Sequence, residues 1–201
     1  SITVLPIVET NQGDLSGYIQ TNLMSMTDGH LYFDASLFSQ GIRPAINPFI
    51  SVTRVGQQTQ SPLKRSIARE LRSFLTLYQK TRRFLHFGEE LNESIKTILA
   101  TGDNITRFFH QPPSSITHEN IQIFLFAMLW SNFWKDEKFD AIKQDMDKWT
   151  LMYEENKAFR DNIDKIIAAS SHLNELLLKI KEIQTPNSKN QIANSKNTYQ
   201  I

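Results

Sequence analysis

The sequence predicts an α/β segment followed by an all-helical one and a disordered tail. Three observations carry this. Residues 1–60 are built of short apolar runs broken by Gly and Pro turns. From Ser61 the apolar residues switch to three- and four-residue spacing. Residues 185–201 repeat Asn-Ser-Lys-Asn and carry almost nothing apolar to bury. The chain therefore divides into 1–60, 61–184 and 185–201.

In the first segment, Ile2-Thr3-Val4-Leu5-Pro6-Ile7-Val8 is a β-branched run of the kind a buried strand shows. Leu23 to Thr27 alternates apolar and polar, Asp28-Gly29 signals a turn, and His30 to Phe33 alternates again, so a hairpin-like pair is expected. Asp34 to Phe38 fits one helical turn. Gly41, Pro44 and Pro48 punctuate a loop that leads into a last strand over Ile50–Gly56.

The helical segment opens with Ser61-Pro62, an N-cap followed by the favoured first-turn proline. Leu63, Ile67, Leu71, Phe74, Leu75 and Tyr78 then share one face, with Gly88 as the stop. Glu89 to Leu99 forms a second helix, ended by Gly102. Asn104 to Phe109 is a short third one, halted by Pro112-Pro113. Thr117 caps a stretch to Trp134 that is apolar nearly all round and is therefore central. Phe139–Tyr153, Asn156–Ala169 and His172–Ile183 complete the set.

Composition narrows the functional classes. The 201 residues carry 22 Lys+Arg against 21 Asp+Glu, a net charge of +1, so no long-range pull toward nucleic acid or lipid is expected. With no Cys there is no disulfide, thiolate zinc site or cysteine nucleophile. A hydrophobic share of 40% fits a packed chain, and no apolar run reaches the ~20 residues of a membrane span. Ser1-Ile2-Thr3 offers no Met and no basic leader. It reads as a chain that starts inside a domain.

Motifs for most chemistries are missing. No Gly-x-x-x-x-Gly-Lys-Ser/Thr, Gly-x-Gly-x-x-Gly or Gly-x-Ser-x-Gly occurs, and the five histidines lie far apart. The basic run Lys64, Arg65, Arg69, Arg72, Lys80, Arg82, Arg83 is the best nucleic-acid candidate. Its cations avoid the apolar stripe, however, and the aromatic stacking platform of RNA-binding sheets is missing. A packed helix whose basic face meets a protein partner is the alternative, which leaves open a non-enzymatic interaction module. Arg43 and Arg54 are the only cations in the first sixty residues, each on a restrained loop. Such a guanidinium can fork onto phosphate oxygens, pair with a carboxylate or lie solvated.

At these residues the sequence resembles the C-terminal part of the alpha subunit of F-type ATP synthase. The likeness is carried by Ser1 to Thr10, Gly13-Asp14, Tyr18-Ile19, Thr21-Asn22, Ser25-Met26-Thr27-Asp28-Gly29, Leu37-Phe38, Gly41 to Asn47 and Ser51 to Gly56. In the helical part Phe87-Gly88-x-x-Leu91 and the Gln111 region follow in order. The beta subunit of the same family does not read Ser-x-Thr-Asp-Gly followed by Gly-Ile-Arg-Pro-Ala-Ile.

The resemblance implies that 1–60 closes a RecA-like nucleotide-binding domain with a parallel sheet. It implies that 61–184 is the helical C-terminal domain around the rotor shaft. It also implies that the phosphate loop and magnesium ligands lie upstream of this stretch. Under it, Arg54 is an arginine finger toward a catalytic site on the neighbouring beta subunit, and Ser25 approaches that site from a nearby loop. Phe38, Arg43, Pro44 and Gln111 line the adenine pocket of a non-catalytic ATP/ADP site. Mg2+ accompanies the nucleotide through ligands outside this chain. The implied partners are the beta, gamma and delta subunits and further alpha copies. The implied place is peripheral to a bacterial plasma membrane on its cytoplasmic side, or to the inner face of an organellar energy-transducing membrane. The sequence departs from the family pattern at three places: Pro113 stands where a second Gln is usual, Gln20 where a Pro is, and Ser61-Pro62 where a more ordinary helix start is.

Overall fold

The computed structural model describes residues 2–11, 13–85, 92–112, 114–134 and 137–183. The expected stop at Gly88, the Phe87–Leu91 match, Pro113 and the disordered tail 185–201 lie outside the described residues. The chain forms two units, one of residues 1–60 with 109–114 and one of residues 61–108 with 115–201.

In the first unit the elements run α1 (Tyr18–Met26), β1 (Gly29–His30), α2 (Ala35–Ser39), β2 (Val52–Thr53) and α3 (Gly56–Thr59). β1 and β2 pair antiparallel, Gly29 with Thr53 and His30 with Val52. The ladder needs a glycine here, because a Cβ on Gly29 would stand 2.6 Å from the Val52 carbonyl oxygen. Asp34 caps α2 by accepting from the Ser36 N–H at 2.8 Å, and its other oxygen accepts from Asn47 Nδ2 at 3.0 Å. The Asn47 bond first and the Ser36 N–H second hold the Asp34 carboxyl below its ordinary range. Backbone bonds from Asp34 to Ala45 and from Asn47 to Tyr32 complete the tie between α2 and the proline loop.

Four expectations for this unit are corrected. Ile2 to Val8 forms no strand: Ile2, Val4, Leu5 and Ile7 are all mostly exposed. A β-branched run becomes a strand only when a neighbour accepts its ladder bonds, and Pro6 removes one donor. Leu23 to Thr27 is not a strand but the last turn of α1 and its C-cap, since four alternating residues cannot distinguish a period of 2 from 3.6. The expected strands over 30–33 and 50–56 shrink to the two short pairs of the ladder, with Phe33 bridging Ile46 and α3 forming after β2. The described strands are antiparallel rather than parallel.

The second unit holds α4 (Pro62–Leu85), α5 (Glu93–Phe108), α6 (Glu119–Trp130), α7 (Phe139–Glu155), α8 (Lys157–Ala168) and α9 (Leu173–Ile183). Ser61 Oγ accepts from the Lys64 N–H at 3.3 Å, as an N-cap should. The predicted stripe of α4 faces inward: Leu63 and Tyr78 are buried, and Ile67, Leu71, Phe74 and Leu75 pack on the core. α6 is the central element, buried at Ile121 and from Phe124 to Leu129, and packs on α5, α7, α8 and α9. Phe74 meets Trp130 edge-on at 5.3 Å, and Phe124 stacks on Trp149 at 5.8 Å.

Three expectations change here. Gly102 does not end a helix; it is buried inside α5, which absorbs the expected third helix as one continuous element. Gly102 lies against the Tyr78 ring, so its small size serves helix packing rather than a left-handed cap. α6 is capped not by Thr117 but by His118, whose Nδ1 accepts from the Asn120 N–H at 3.3 Å.

A polar cluster joins three helices behind that cap. Asp164 of α8 accepts from Tyr153 Oη of α7 and from Asn120 Nδ2 of α6, both at 2.7 Å. Burial pushes the Asp164 carboxyl up, but these two hydrogen bonds, together with the nearby His118 and Arg160, outweigh it and hold the group below its usual range. Burial first, then the Asp164 bond, pushes the Tyr153 phenol up to about 12. Ser66 of α4 adds another tie by accepting from the Leu173 N–H at the start of α9, at 3.3 Å.

Candidate functional site

Arg54 follows β2 directly, and its N–H extends the ladder by donating to the Asp28 carbonyl at 2.8 Å. This fixes where the side chain leaves the backbone. Nη1 donates to the Ser25 carbonyl and Nη2 to the Met24 carbonyl, each at 3.3 Å. Both acceptors belong to the last turn of α1, whose carbonyls lack intrahelical donors and form the negative end of the helix dipole. The guanidinium therefore caps α1 while the residue stays exposed. Two of its five N–H donors are used in this way. Among the described residues no carboxylate lies within ion-pair distance of Arg54.

Ser25 comes to the same corner through its carbonyl. Its hydroxyl donates back into α1, to the Asn22 carbonyl at 2.7 Å. The resemblance brought Ser25 and Arg54 toward the same site, and in the structure they meet across 29 residues. The sequence reading missed the Met24 carbonyl and the Asp28 anchor; the Asp28-Gly29 turn was the one local signal that pointed to them.

A second group forms around the α2 C-terminus. The Arg43 guanidinium carbon stands 3.6 Å from the centroid of the Phe38 ring, a cation–π stack. Its Nη1 donates to the carbonyls of Phe38 at 2.8 Å and Ile42 at 2.9 Å. Pro44 follows through a cis peptide bond. The Gln111 N–H donates to the Arg43 carbonyl at 2.8 Å, which brings a residue 68 positions away to the same loop. Phe38 keeps 59% of its surface exposed and Pro44 is also exposed, so the group offers a flat aromatic face beside a planar cation.

Among the described residues no group of three or more His, Cys, Asp or Glu side chains converges as a metal site. Nor is any helix among them long and apolar enough to cross a membrane.

Arg54 is thus held at the end of β2 by the last turn of α1, and a unit with six described helices follows it in sequence. Residues 1–53 match the ATP synthase alpha/beta family, nucleotide-binding domain, and residues 60–184 match the ATP synthase alpha/beta chain, C terminal domain. The chain belongs to the ATP synthase alpha/beta family. Within it the similarity is to alpha subunits. ATP synthase subunit alpha of Buchnera aphidicola subsp. Acyrthosiphon pisum (strain Tuc7) is 36% identical over 171 residues, 83% of this chain and 33% of that protein. Its counterpart in Wigglesworthia glossinidia brevipalpis is 34% identical over 189 residues, 91% of this chain and 36% of that protein. That of Jannaschia sp. (strain CCS1) is 40% identical over 128 residues, 63% of this chain and 25% of that protein. The chain thus spans about a third of the length of these relatives or less.

Proposed function

We propose that this chain serves as part of an alpha-type subunit of a rotary ATP synthase, with Arg54 as its contribution to catalysis in trans. Arg54 would meet the γ-phosphate of a nucleotide held by a neighbouring beta subunit. The observation that carries the reading is the way its guanidinium is held. Two donors are spent on the Ser25 and Met24 carbonyls, which orient the planar group, and the rest of the residue stays exposed, with no carboxylate partner among the described residues. Phosphoryl transfer spreads charge over the equatorial oxygens, so a pre-positioned cation acts mainly on the transition state. The hydrogen bonds to neutral carbonyls aim the guanidinium without cancelling its charge.

In the same reading Phe38, Arg43, Pro44 and Gln111 wall a non-catalytic ATP/ADP site, and Mg2+ is carried with the nucleotide through ligands outside this chain. The helical unit packs among beta, gamma and delta subunits and other alpha copies, peripheral to the membrane that the complex energises.

The test replaces Arg54 with Lys in an assembled complex whose alpha subunit carries this segment. Lysine keeps the charge but loses the fork that holds both carbonyls. ATP hydrolysis should fall by at least ~10²-fold, while nucleotide occupancy of the beta sites changes little. Normal turnover by a properly assembled Arg54→Lys complex would refute the role. Poor assembly with normal turnover per assembled complex would make Arg54 a structural cap of α1 alone.

A further inference from the structure

The solvent face of α4 carries two features that neither the core nor the nucleotide reading uses. At about 100° per residue, Arg65, Arg69, Arg72, Lys80 and Arg83 fall within an arc of about 80° on the helix. All five are exposed. With a rise of about 1.5 Å per residue, the ridge runs about 27 Å from Arg65 to Arg83. It lies on the side opposite the stripe that Leu63, Ile67, Leu71, Phe74 and Tyr78 send into the core. Among the described residues its nearest carboxylate is Glu70, 3.9 Å from Arg69 Nε and off the ridge line.

The second feature is apolar. Leu77 and Phe84, seven residues and two turns apart, lie in line along the helix about 40–60° beyond Lys80, 47% and 54% exposed. Seven residues is the spacing at which one helix meets another along a seam.

We propose that this face of α4 docks an acidic amphipathic helix of a partner protein. Leu77 and Phe84 would take up the apolar side of that helix, and the five cations would face carboxylates along its flank. Charge complementarity selects an acidic partner, since a row of like charges on one helix face, interrupted by Thr76, favours a surface of opposite sign. The apolar pair selects a protein over nucleic acid. Leu77 gains nothing against a sugar–phosphate backbone, and one aromatic residue at the edge does not make a stacking platform. Two turns of apolar contact with flanking charges is the division of labour seen in helix pairs, where the seam supplies affinity and the flanks set the choice of partner.

The experiment uses the full chain and a fluorescein-labelled synthetic peptide of three heptads, Leu at the seam positions and Glu on both flanks. Polyglutamate of the same length and a short DNA duplex serve as the other probes. By fluorescence anisotropy the amphipathic peptide should bind at least about tenfold more tightly than polyglutamate or the duplex. Leu77→Ser with Phe84→Ser should weaken the peptide by at least about tenfold and leave polyglutamate unchanged. Arg69→Glu, Arg72→Glu and Lys80→Glu together should weaken both acidic probes. Gln at the same three positions should do so more mildly, which guards against a variant that fails to fold. Unchanged circular dichroism melts confirm that these exposed substitutions leave the fold intact. Tighter binding of the duplex would overturn the proposal in favour of a nucleic-acid surface. Equal binding of polyglutamate and peptide, or indifference to the Leu77/Phe84 change, would overturn it in favour of plain charge attraction.

Discussion

Gly102 of α5 faces the ring of Tyr78 of α4 so closely that a Cβ on Gly102 would lie 2.1 Å from Tyr78 Cδ2 and 2.5 Å from Cε2 and Cγ. The ring cannot step aside cheaply. It is buried, and its hydroxyl donates to Asp103 Oδ1 at 2.5 Å.

Gly102→Ala should therefore reverse the usual sign of a glycine-to-alanine change in a helix. In an open helix the substitution stabilises by roughly 0.5–1 kcal/mol. Here the overpacking should cost about 1–3 kcal/mol, which for a chain of this size lowers Tm by several degrees. Thermal melts by circular dichroism read it directly. Adding Tyr78→Ala should leave Gly102→Ala with little further cost, because the clash is gone. A melt for Gly102→Ala at or above that of the parent chain would show that the α4–α5 contact is looser than described.

This pair also shows what was legible in the sequence. The stripe from Leu63 to Tyr78 repeats over more than four turns, long enough for the helical period to declare itself, and it faces the core as read. Gly102 was read as a stop because a lone glycine carries two meanings. Which one applies depends on Tyr78, 24 residues away, and no local pattern reports it. Ile2 to Val8 failed for a related reason, since strand formation depends on a neighbour and not on the run itself. His118 was missed as a cap because imidazole is a rare substitute for the usual Ser, Thr, Asp or Asn. In the site, the Arg54 loop was readable from its own neighbours. Its hold on α1 was not, because that contact joins residues 29 and 30 positions apart. Likewise Arg43 and Pro44 were marked by their turn, while Gln111 arrives beside them through a long-range backbone bond that no local pattern reports.

The Tyr153–Asp164 bond predicts how stability varies with pH. The folded chain raises the Tyr153 phenol from 10.0 to about 12, so folding favours the protonated form. That contribution is complete below about pH 10 and is lost as the pH rises through 12. Asp164 runs the other way. Its carboxyl is held below the ordinary 3.8, so its contribution is present above about pH 4 and lost as the pH falls through the lowered value. Tyr153→Phe should flatten the alkaline decline, with Tyr78, also raised by burial and Asp103, carrying part of the remainder. At neutral pH it should cost about 1–2 kcal/mol, the loss of one buried bond to a carboxylate. Tm measured from pH 7 to 11 for both chains checks it; parallel curves would mean that Tyr153 does not keep its proton preferentially in the fold.

Ser66→Ala should weaken the attachment of α9 to α4. Ser66 is buried, and its hydroxyl answers the Leu173 N–H, one of the donors that a helix start leaves unpaired. Its removal strands that donor away from water, at about 1–3 kcal/mol. Amide hydrogen exchange should quicken first in α9 rather than uniformly. Uniform acceleration would place the defect in the core instead.

The Phe38–Arg43 stack separates a nucleotide wall from a merely structural turn. If the pair walls a base, Arg43→Ala and Phe38→Ala should each lower retention of nucleotide at the non-catalytic site of an assembled complex by about tenfold. That is the mid-range for removing one stacking partner of a base. Neither should affect the melt of the chain much, since Phe38 is 59% exposed and exposed substitutions usually stay within about 0.5 kcal/mol. The Gln111 N–H should also remain bonded in Arg43→Ala, because its acceptor is the backbone carbonyl of residue 43 and survives truncation. The structural reading predicts the reverse pattern. There the Arg43 Nη1 bonds to the Phe38 and Ile42 carbonyls serve to close the turn after α2, so Arg43→Ala would lower the melt and leave nucleotide content unchanged. Bound nucleotide counted after gel filtration, beside a thermal melt of the same preparation, decides between them. Unchanged retention with both variants would remove the wall from the proposed function while leaving Arg54 untouched.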